Sequence, residues 1–338
     1  MEQTLVTVLM PVFNGELFLK EAIESILHQT YTNIEFLIIN DGSTDKTLDI
    51  INLYDDKRIR LISFEKNQGL ITILNVGLRE AKGKYIARMD ADDVAYPERI
   101  EKQFEVFKKY PELTICSTHM STNKKSSVYF KSILNSDEIK SRLLFDNLIC
   151  HPTVMYKSAL FIDSSHHYKM EFPHAEDYAL WLDFIEKGKF YIIPKTLLKY
   201  REHNAQISKT NRLTQIDSVI KAQLTIFNKL VIKPSHEELL IHSKIFFIDY
   251  NYNLTFLIEV EKWLLKLKKQ NQKTNIFNST AFENILSWTW FEICTDIASK
   301  KYRCQKFFKN SELYNFKVYS KYYLVKFELK NLIVYKKL

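Results

Sequence analysis

Cysteine is scarce in this 338-residue chain, four in all, and the four stand far apart. Cys116, Cys150, Cys294 and Cys304 form no C-x-x-C pair, which speaks against a disulfide framework and a zinc cluster and fits a reducing compartment. Long apolar runs are missing too: nothing approaches the roughly 18 uninterrupted residues that a membrane-spanning helix needs. The nearest stretch, residues 245–260, is broken by Asp249, Asn251, Asn253 and Glu259 and reads as a buried or amphipathic helix. The N-terminus "MEQTLVTVLM" is acidic where a signal peptide is basic, and its apolar run stops at Pro11, so the mature chain is expected to begin at Met1. Glycine is rare and one-sided. All six, Gly15, Gly42, Gly69, Gly77, Gly83 and Gly188, precede residue 190, and only Pro234 among the prolines follows residue 200, so the later part is expected to be largely helical. No internal repeat or low-complexity segment stands out.

An apolar share of 46% suits a globular protein with a sizeable core, in one large domain or two modest ones. The net charge of +8 is unevenly spread. Residues 211–338 hold 21 Lys and Arg against 11 Asp and Glu, which leaves residues 1–210 slightly acidic. The last stretch, 297–338, has 11 basic and 2 acidic residues interleaved with ten aromatics, among them Tyr302, Phe308, Phe316, Tyr319, Tyr322, Phe327 and Tyr335. Such a pattern implies an anionic partner surface.

Before residue 210, apolar runs of strand length alternate with helical periods. Residues 5–13, 34–40, 58–64 and 84–89 read as strands; 16–29, 45–53 and 70–81 read as helices, the first with Leu17, Ala22, Ile23, Ile26 and Leu27 on one face. This alternation predicts an α/β fold with a mostly parallel sheet covered on both faces. In such sheets ligands collect beyond the carboxyl ends of the strands. Three polar turns fall there: Phe13-Asn14-Gly15, "DGSTD" from Asp41, and the crowded "MDADD" of 89–93. Asp90, Asp92 and Asp93 repel one another, and either solvation or a bound cation has to make that tolerable. Ser43 or Thr44 reads as a cap for the helix that follows. Asp41 differs, because it ends a buried strand and needs a donor such as a nucleobase imide N–H.

The stretches 6–51 and 67–103, with "HPTVMYKSAL", "AEDYALWLDF" and "YREH" after them, resemble the successive motifs of the family 2 nucleotide-sugar glycosyltransferases of GT-A fold. The resemblance covers roughly residues 4–210. It implies a catalytic domain at 1–210; the remaining residues, 211–338, read from composition alone as a helical, basic region. It also implies one-sugar transfer, hexosyl or N-acetylhexosaminyl, from a nucleotide diphosphate sugar, with UDP the first choice. A manganese or magnesium ion would stabilise the departing diphosphate. The nucleotide pocket would be lined by Pro11, Phe13, Asp41, Asn67, Gly69 and Arg88, with Asp90 near the ribose, Arg201 towards the diphosphate, and Asp92 and His203 at the metal. Two positions stay open: Arg88 reads equally as a salt-bridge partner for the aspartates, and Asp93 either joins the metal turn or caps the helix near Pro97. Within "ED", Asp177 is implied as the general base of an inverting attack and Glu176 as its neighbour; without the resemblance both carboxylates would simply suit the positive end of a helix. His151 is expected to shape the acceptor-side loop. The segment 120–132 is shorter and more basic than the family's usual connection, and the Q-x-x-R-W signature of processive members is missing, which favours single addition.

The resemblance further implies a saccharide or polyprenyl-diphosphate-linked saccharide acceptor of capsule or O-antigen assembly. The basic, aromatic run 297–338 adds the expectation that this protein, cytoplasmic by its scattered cysteines, touches the anionic inner membrane face. The alternatives are a nucleic-acid-binding basic face, for which no recognised motif speaks, and a catalytically inactive interaction module that dimerises through its C-terminal helices.

Overall fold

The computed structural model describes residues 4–122, 134–162, 166–203, 211–250, 253–300 and 302–332. Much of the segment 120–132 therefore lies outside the described residues, as does Tyr335. Two compact units emerge: residues 1–136 with 148–219, and residues 137–147 with 220–338.

The first unit carries an eight-stranded sheet in the order β3-β2-β1-β4-β7-β6-β8-β5. Its strands are β1 (Val6–Val12), β2 (Ile34–Asp41), β3 (Ile59–Phe64), β4 (Tyr85–Arg88), β5 (Val94–Ala95), β6 (Ile115–Thr122), β7 (Met155–Lys157) and β8 (Phe190–Tyr200). Helices α1 (Leu19–Leu27), α2 (Thr47–Asn52), α3 (Leu70–Glu80), α4 (Arg99–Lys109) and α6 (Glu176–Asp183) accompany it, and α5 (Ser136–Arg142) leads from this unit into the second. Strands β3, β2, β1 and β4 run parallel, as the sequence predicts. The sheet as a whole is mixed, because β7 is antiparallel to both β4 and β6, and β5 is antiparallel to β8.

The run of buried residues along β1 and β2 is continuous, which is what a strand covered on both faces requires. Helix α1 buries Ala22 together with Leu19, Ile23 and Ile26, and each of the three larger side chains is worth about 1.5–3 kcal/mol of transfer free energy. Leu17, expected on that face, instead stands exposed in the turn before the helix. The sheet order places β1 between β2 and β4, all parallel, so the carboxyl ends of β1, β2 and β4 open on one edge at Val12, Asp41 and Arg88.

The second unit is helical: α7 (Arg212–Lys229, which begins in the first unit), α8 (His236–Phe246), α9 (Leu254–Thr274), α10 (Ser279–Ser299), α11 (Gln305–Asn310) and α12 (Lys321–Leu332). Its helix starts are set by side chains. Ser235 closes a capping box with Glu238, Asn253 accepts from the Phe256 N–H at 2.8 Å, and Asn278 accepts from the Ala281 N–H at 3.1 Å. Segment 137–147 is held among these helices. Leu144 O accepts from His242 Nε2 at 2.9 Å, while His242 Nδ1 accepts from Trp263 Nε1 at 3.0 Å. That pair of bonds fixes a neutral imidazole, and burial drops its pKa to about 4. Arg142 reaches Glu292 at 2.6 Å. Among the described residues no helix is long and apolar enough to cross a membrane.

The aromatics of the basic tail are only partly a surface feature. Phe308, Tyr319 and Phe327 are buried, and Phe291 of α10 packs against all three at ring distances of 4.8–5.8 Å. Much of the tail's aromatic content is thus core.

Candidate active site

The turns after β1 and β2 are laced together. Asn14 N–H donates to Ser43 Oγ at 2.9 Å, Thr44 N–H to Asn14 Oδ1 at 2.8 Å, Gly15 N–H to Thr47 Oγ1 at 2.8 Å, and Glu16 N–H to Asp45 Oδ2 at 3.0 Å. Ser43 and Thr44 therefore serve the neighbouring turn, and α2 starts without a side-chain cap bond at Lys46; one residue earlier, Asp45 Oδ1 accepts from the Thr47 N–H at 3.0 Å. Asp41, only 1% exposed, finds its donors inside the chain: the Gln68 N–H at 2.7 Å on Oδ1 and the Gly69 N–H at 3.0 Å on Oδ2. Its carboxylate thereby fixes the start of α3, and Asn67 Oδ1 accepts from the same Gly69 N–H at 3.1 Å. Gly42 makes this approach possible, since it sits at φ +69° and a Cβ there would lie 2.5 Å from the Lys66 carbonyl carbon. Pro11 is buried in β1, whereas Phe13 leaves its ring half exposed at the edge.

At the end of β4, single ligand atoms of Asp90, Asp92 and Asp93 all lie within 4.8 Å of one another. Of the two roles open to Arg88, the structure draws the ion pair: its buried guanidinium contacts Asp90. Burial works against that charge, but Asp90 wins and the Arg88 pKa rises. Asp93 is not the cap of α4, which begins at Arg99 with no side-chain cap bond. It is fully buried, accepts from the Arg201 N–H at 2.9 Å on Oδ1, and leaves Oδ2 without a hydrogen-bond partner. Burial first, then Asp90 and Asp92, push its pKa well above the carboxylate range; burial also raises Asp90, against the pull of Arg88. His203 Nε2 lies 2.8 Å from Asp92 Oδ2. Three crowded carboxylates, one with an orphaned buried oxygen, and an imidazole nitrogen beside them form a donor set that suits a divalent cation such as manganese or magnesium.

Arg201, expected towards the diphosphate, engages neighbours within the chain. Its Nε donates to Asp92 O at 2.8 Å, its NH2 reaches Glu21 at 2.5 Å, and its guanidinium lies over the Phe18 ring at 4.6 Å. It staples the end of β8 to the acidic turn, while His203 also touches Phe18, with ring centroids 5.1 Å apart.

Beneath the turn lies a pair that the sequence reading passes over. Arg99, 0% exposed, donates through NH2 to Arg88 O at 2.6 Å and through Nε to Gln103 Oε1 at 3.2 Å. Gln103 Nε2 in turn donates to Cys116 O and Thr153 O, each at 2.9 Å. One polar bracket so ties the end of β4, the 3-10 turn before β7, and β6, where the sheet changes direction. Burial and the nearby Arg88 lower the Arg99 pKa to about 10, against the opposing pull of Asp93 and Asp90. The signal was present: Arg99 and Gln103, one turn apart, share the buried face of α4 with Ile100 and Phe107.

Helix α6 begins at Glu176 and Asp177. Glu176 is buried, and burial with the adjacent Asp177 raises its pKa to about 7. Asp177 Oδ1 accepts from the Tyr178 N–H at 2.6 Å. The half-buried Cys150 thiol is pushed up by its loss of solvent and then by Asp93, Asp90 and Asp177, so the carboxylates of the acidic turn and of α6 act on the same residue. Behind them His151 Nε2 pairs with Tyr168 Oη at 2.7 Å, and Tyr168 Oη with Tyr156 Oη at 3.1 Å. Asn75 of α3 clasps the Tyr168 backbone on both sides, at 2.9 and 2.8 Å. His151 is thus a core residue that braces the loop before α6.

The model of a family described as glycosyl transferase family 2 matches residues 7–164. An uncharacterised glycosyltransferase of Haemophilus influenzae is 34% identical over 230 residues, which is 64% of this chain and 71% of that protein. The chain belongs to glycosyltransferase family 2. The fold agrees: S. aureus TarS, solved in complex with UDP-GlcNAc, superposes with a TM-score of 0.59 at 18% identity, over 86% of this chain and 88% of that one. The mannosyltransferase PcManGT of Pyrobaculum calidifontis, solved with GDP-Man and Mn2+, gives 0.51 at 14% identity over 97% and 87% of the two chains. This glycosyltransferase therefore has the GT-A fold, followed by a helical C-terminal region. Its structure gathers Asp41, Asn67 and Gly69 on one side of the sheet edge, and Arg88, Asp90, Asp92, Arg201 and His203 on the other.

Proposed function

We propose that this glycosyltransferase moves one sugar from a UDP-sugar to a hydroxyl of a saccharide or polyprenyl-diphosphate-linked saccharide, with inversion, in the cytoplasm during assembly of a surface polysaccharide such as capsule or O-antigen. The observation that carries the reading is the cluster of Asp90, Asp92 and Asp93 at the sheet edge, with the carboxylates of α6 acting on the same neighbouring thiol. In support of a UDP donor and a metal stand the UDP-GlcNAc of TarS and the Mn2+ of PcManGT.

The chain's own groups divide the work. Phe13 offers a half-exposed ring to the base, and Pro11, Asp41, Asn67 and Gly69 shape the nucleoside site, Asp41 by holding the amides of 68 and 69 in place. Asp90, kept in position by Arg88, faces the ribose. Asp92 and His203 would hold manganese or magnesium, with Asp93 beside them. When bound, that cation stabilises the negative charge that develops on the departing diphosphate. Asp177 takes the proton of the acceptor hydroxyl as it attacks the anomeric carbon, its carboxylate plane set by the Tyr178 N–H. Glu176, with a pKa near 7, is partly protonated at neutral pH and adds less than a full negative charge beside Asp177. A single displacement inverts the anomeric centre.

A panel of nucleotide sugars, incubated with manganese and assayed for nucleoside diphosphate release, tests this reading. Asp92→Asn should abolish the metal-dependent release, and Asp177→Asn should stop transfer while donor binding persists. Wild-type turnover in either variant removes that residue from the mechanism.

A further inference from the structure

Helix α12 is apolar on two faces, and only one of them is used. On the inner face Phe327 is fully buried against Phe308 and Phe291, with ring centroids 4.8 and 5.8 Å away. Asn331 beside it accepts from the Cys304 N–H at 3.1 Å, and Glu328 pairs with Lys309 of α11 at 2.6 Å. These contacts fix the rotation of the helix about its axis. They leave Tyr322, Val325 and Leu329 facing solvent at 64%, 58% and 54% exposure. The spacing i, i+3, i+7 makes the three a continuous stripe along the outer face.

Lysines flank that stripe. Lys321 and Lys326 are exposed, and Lys330 follows Lys326 at one helical turn. Like charges at this spacing repel; burial and Lys326 together hold the Lys330 ammonium below its ordinary pKa. Immediately before the helix, on the 3-10 turn of Phe316–Val318, Phe316 and Lys317 are exposed as well. An apolar stripe bordered by ammonium groups, of which, among the described residues, only Lys330 feels a nearby carboxylate, that of Asp296, matches a lipid surface that offers acyl chains to the stripe and anionic headgroups to the lysines. A second copy of the chain fits worse, because a two-fold contact through this face would bring the same lysines against one another. A nucleic acid would answer the lysines and leave the three apolar side chains in water.

We propose that α12 is an interfacial anchor, lying flat on an anionic bilayer with Tyr322, Val325 and Leu329 inserted at the headgroup level and Lys321, Lys326 and Lys330 on the phosphates. The proposal rests on the reading above only for the expectation of a lipid-linked acceptor; the surface itself is argued from the helix.

The test is flotation of the full chain with vesicles of phosphatidylcholine alone and of phosphatidylcholine with 30% phosphatidylglycerol. The bound fraction is expected to be at least tenfold higher on the anionic vesicles. It should fall to the neutral level in the variant Tyr322→Ser/Val325→Ser/Leu329→Ser, and independently in Lys326→Glu/Lys330→Glu, which leaves the apolar residues in place. Both variants should keep the wild-type circular dichroism melt and wild-type release of nucleoside diphosphate from the donor sugar, so failure of the anchor is separable from failure of the sugar chemistry. Equal flotation on both vesicles, or flotation unchanged in the serine variant, overturns the proposal. So does a concentration-dependent dimer in vesicle-free sedimentation that the serine variant abolishes, which would assign the stripe to a second copy.

Discussion

Arg99 is a full positive charge with no exposed surface, and its own hydrogen-bond partners are neutral: two carbonyls, an amide oxygen and a thioether. Its electrostatic balance comes from above, where Asp93 and Asp90 act on it through the turn. Arg99→Met should therefore remove a strut and a countercharge together. We expect a loss of about 3 kcal/mol in urea unfolding, the range for breaking a buried charge arrangement, and weaker manganese binding by titration calorimetry. Asp93→Asn should act in the opposite sense on the metal-free protein. Since burial, Asp90 and Asp92 raise the Asp93 pKa, the ionised carboxylate costs stability above the usual carboxylate range. The amide should raise the metal-free melting temperature by a few degrees, roughly 1 kcal/mol, while manganese affinity falls. Glu176 gives a pH signature. Its folded pKa of about 7 lies above the ordinary 4.5, so the folded state holds the proton more tightly and stability drops as pH rises between those two values. The deficit at higher pH is on the order of 3 kcal/mol. In Glu176→Gln, melts recorded from pH 4.5 to 8 should be flatter across that window than those of wild type.

At the scale of turns and elements, Gly42 is the most exposed to test. Alanine there would sit at φ +69° and push into the Lys66–Asn67 backbone, displacing the loop whose amides Asp41 holds. Gly42→Ala should cost about 1–3 kcal/mol and weaken UDP binding at least tenfold, read by calorimetry. Elements of this kind were well marked in the sequence. Strand β2 runs one residue past its expected close, and α3 ends one residue before its own. Strand direction was harder to read. β7 has three residues, and its motif "HPTVMYKSAL" gives no sign that it runs against both neighbours, because an apolar run records burial and not polarity. Leu17 misled for a related reason: helical period extends through a turn that has not yet become helix. The acidic turn could be found from its crowding alone, whereas the bracket below it demanded attention to polar residues on an apolar face. Aromatics in the tail looked like surface because composition cannot separate Phe327, turned inward, from Tyr322, turned outward.

Across the whole chain, the helical unit takes in residues 137–147 as well as 220–338. The former segment brings Ile139, Leu143, Leu144 and Phe145, all buried, into a unit whose other members follow some eighty residues later or more. A fragment ending at residue 210 would therefore carry four large apolar side chains without their partners. Expressed alone, it should be recovered mainly in the insoluble fraction, while the full chain stays soluble at the same induction level. During synthesis the same discontinuity imposes a delay. Leu143 to Phe145 emerge from the ribosome well before His242 and Trp263, and at 5–20 residues per second the wait is on the order of ten seconds. For that interval the nascent chain presents a greasy, half-finished segment, a natural holding point for a chaperone.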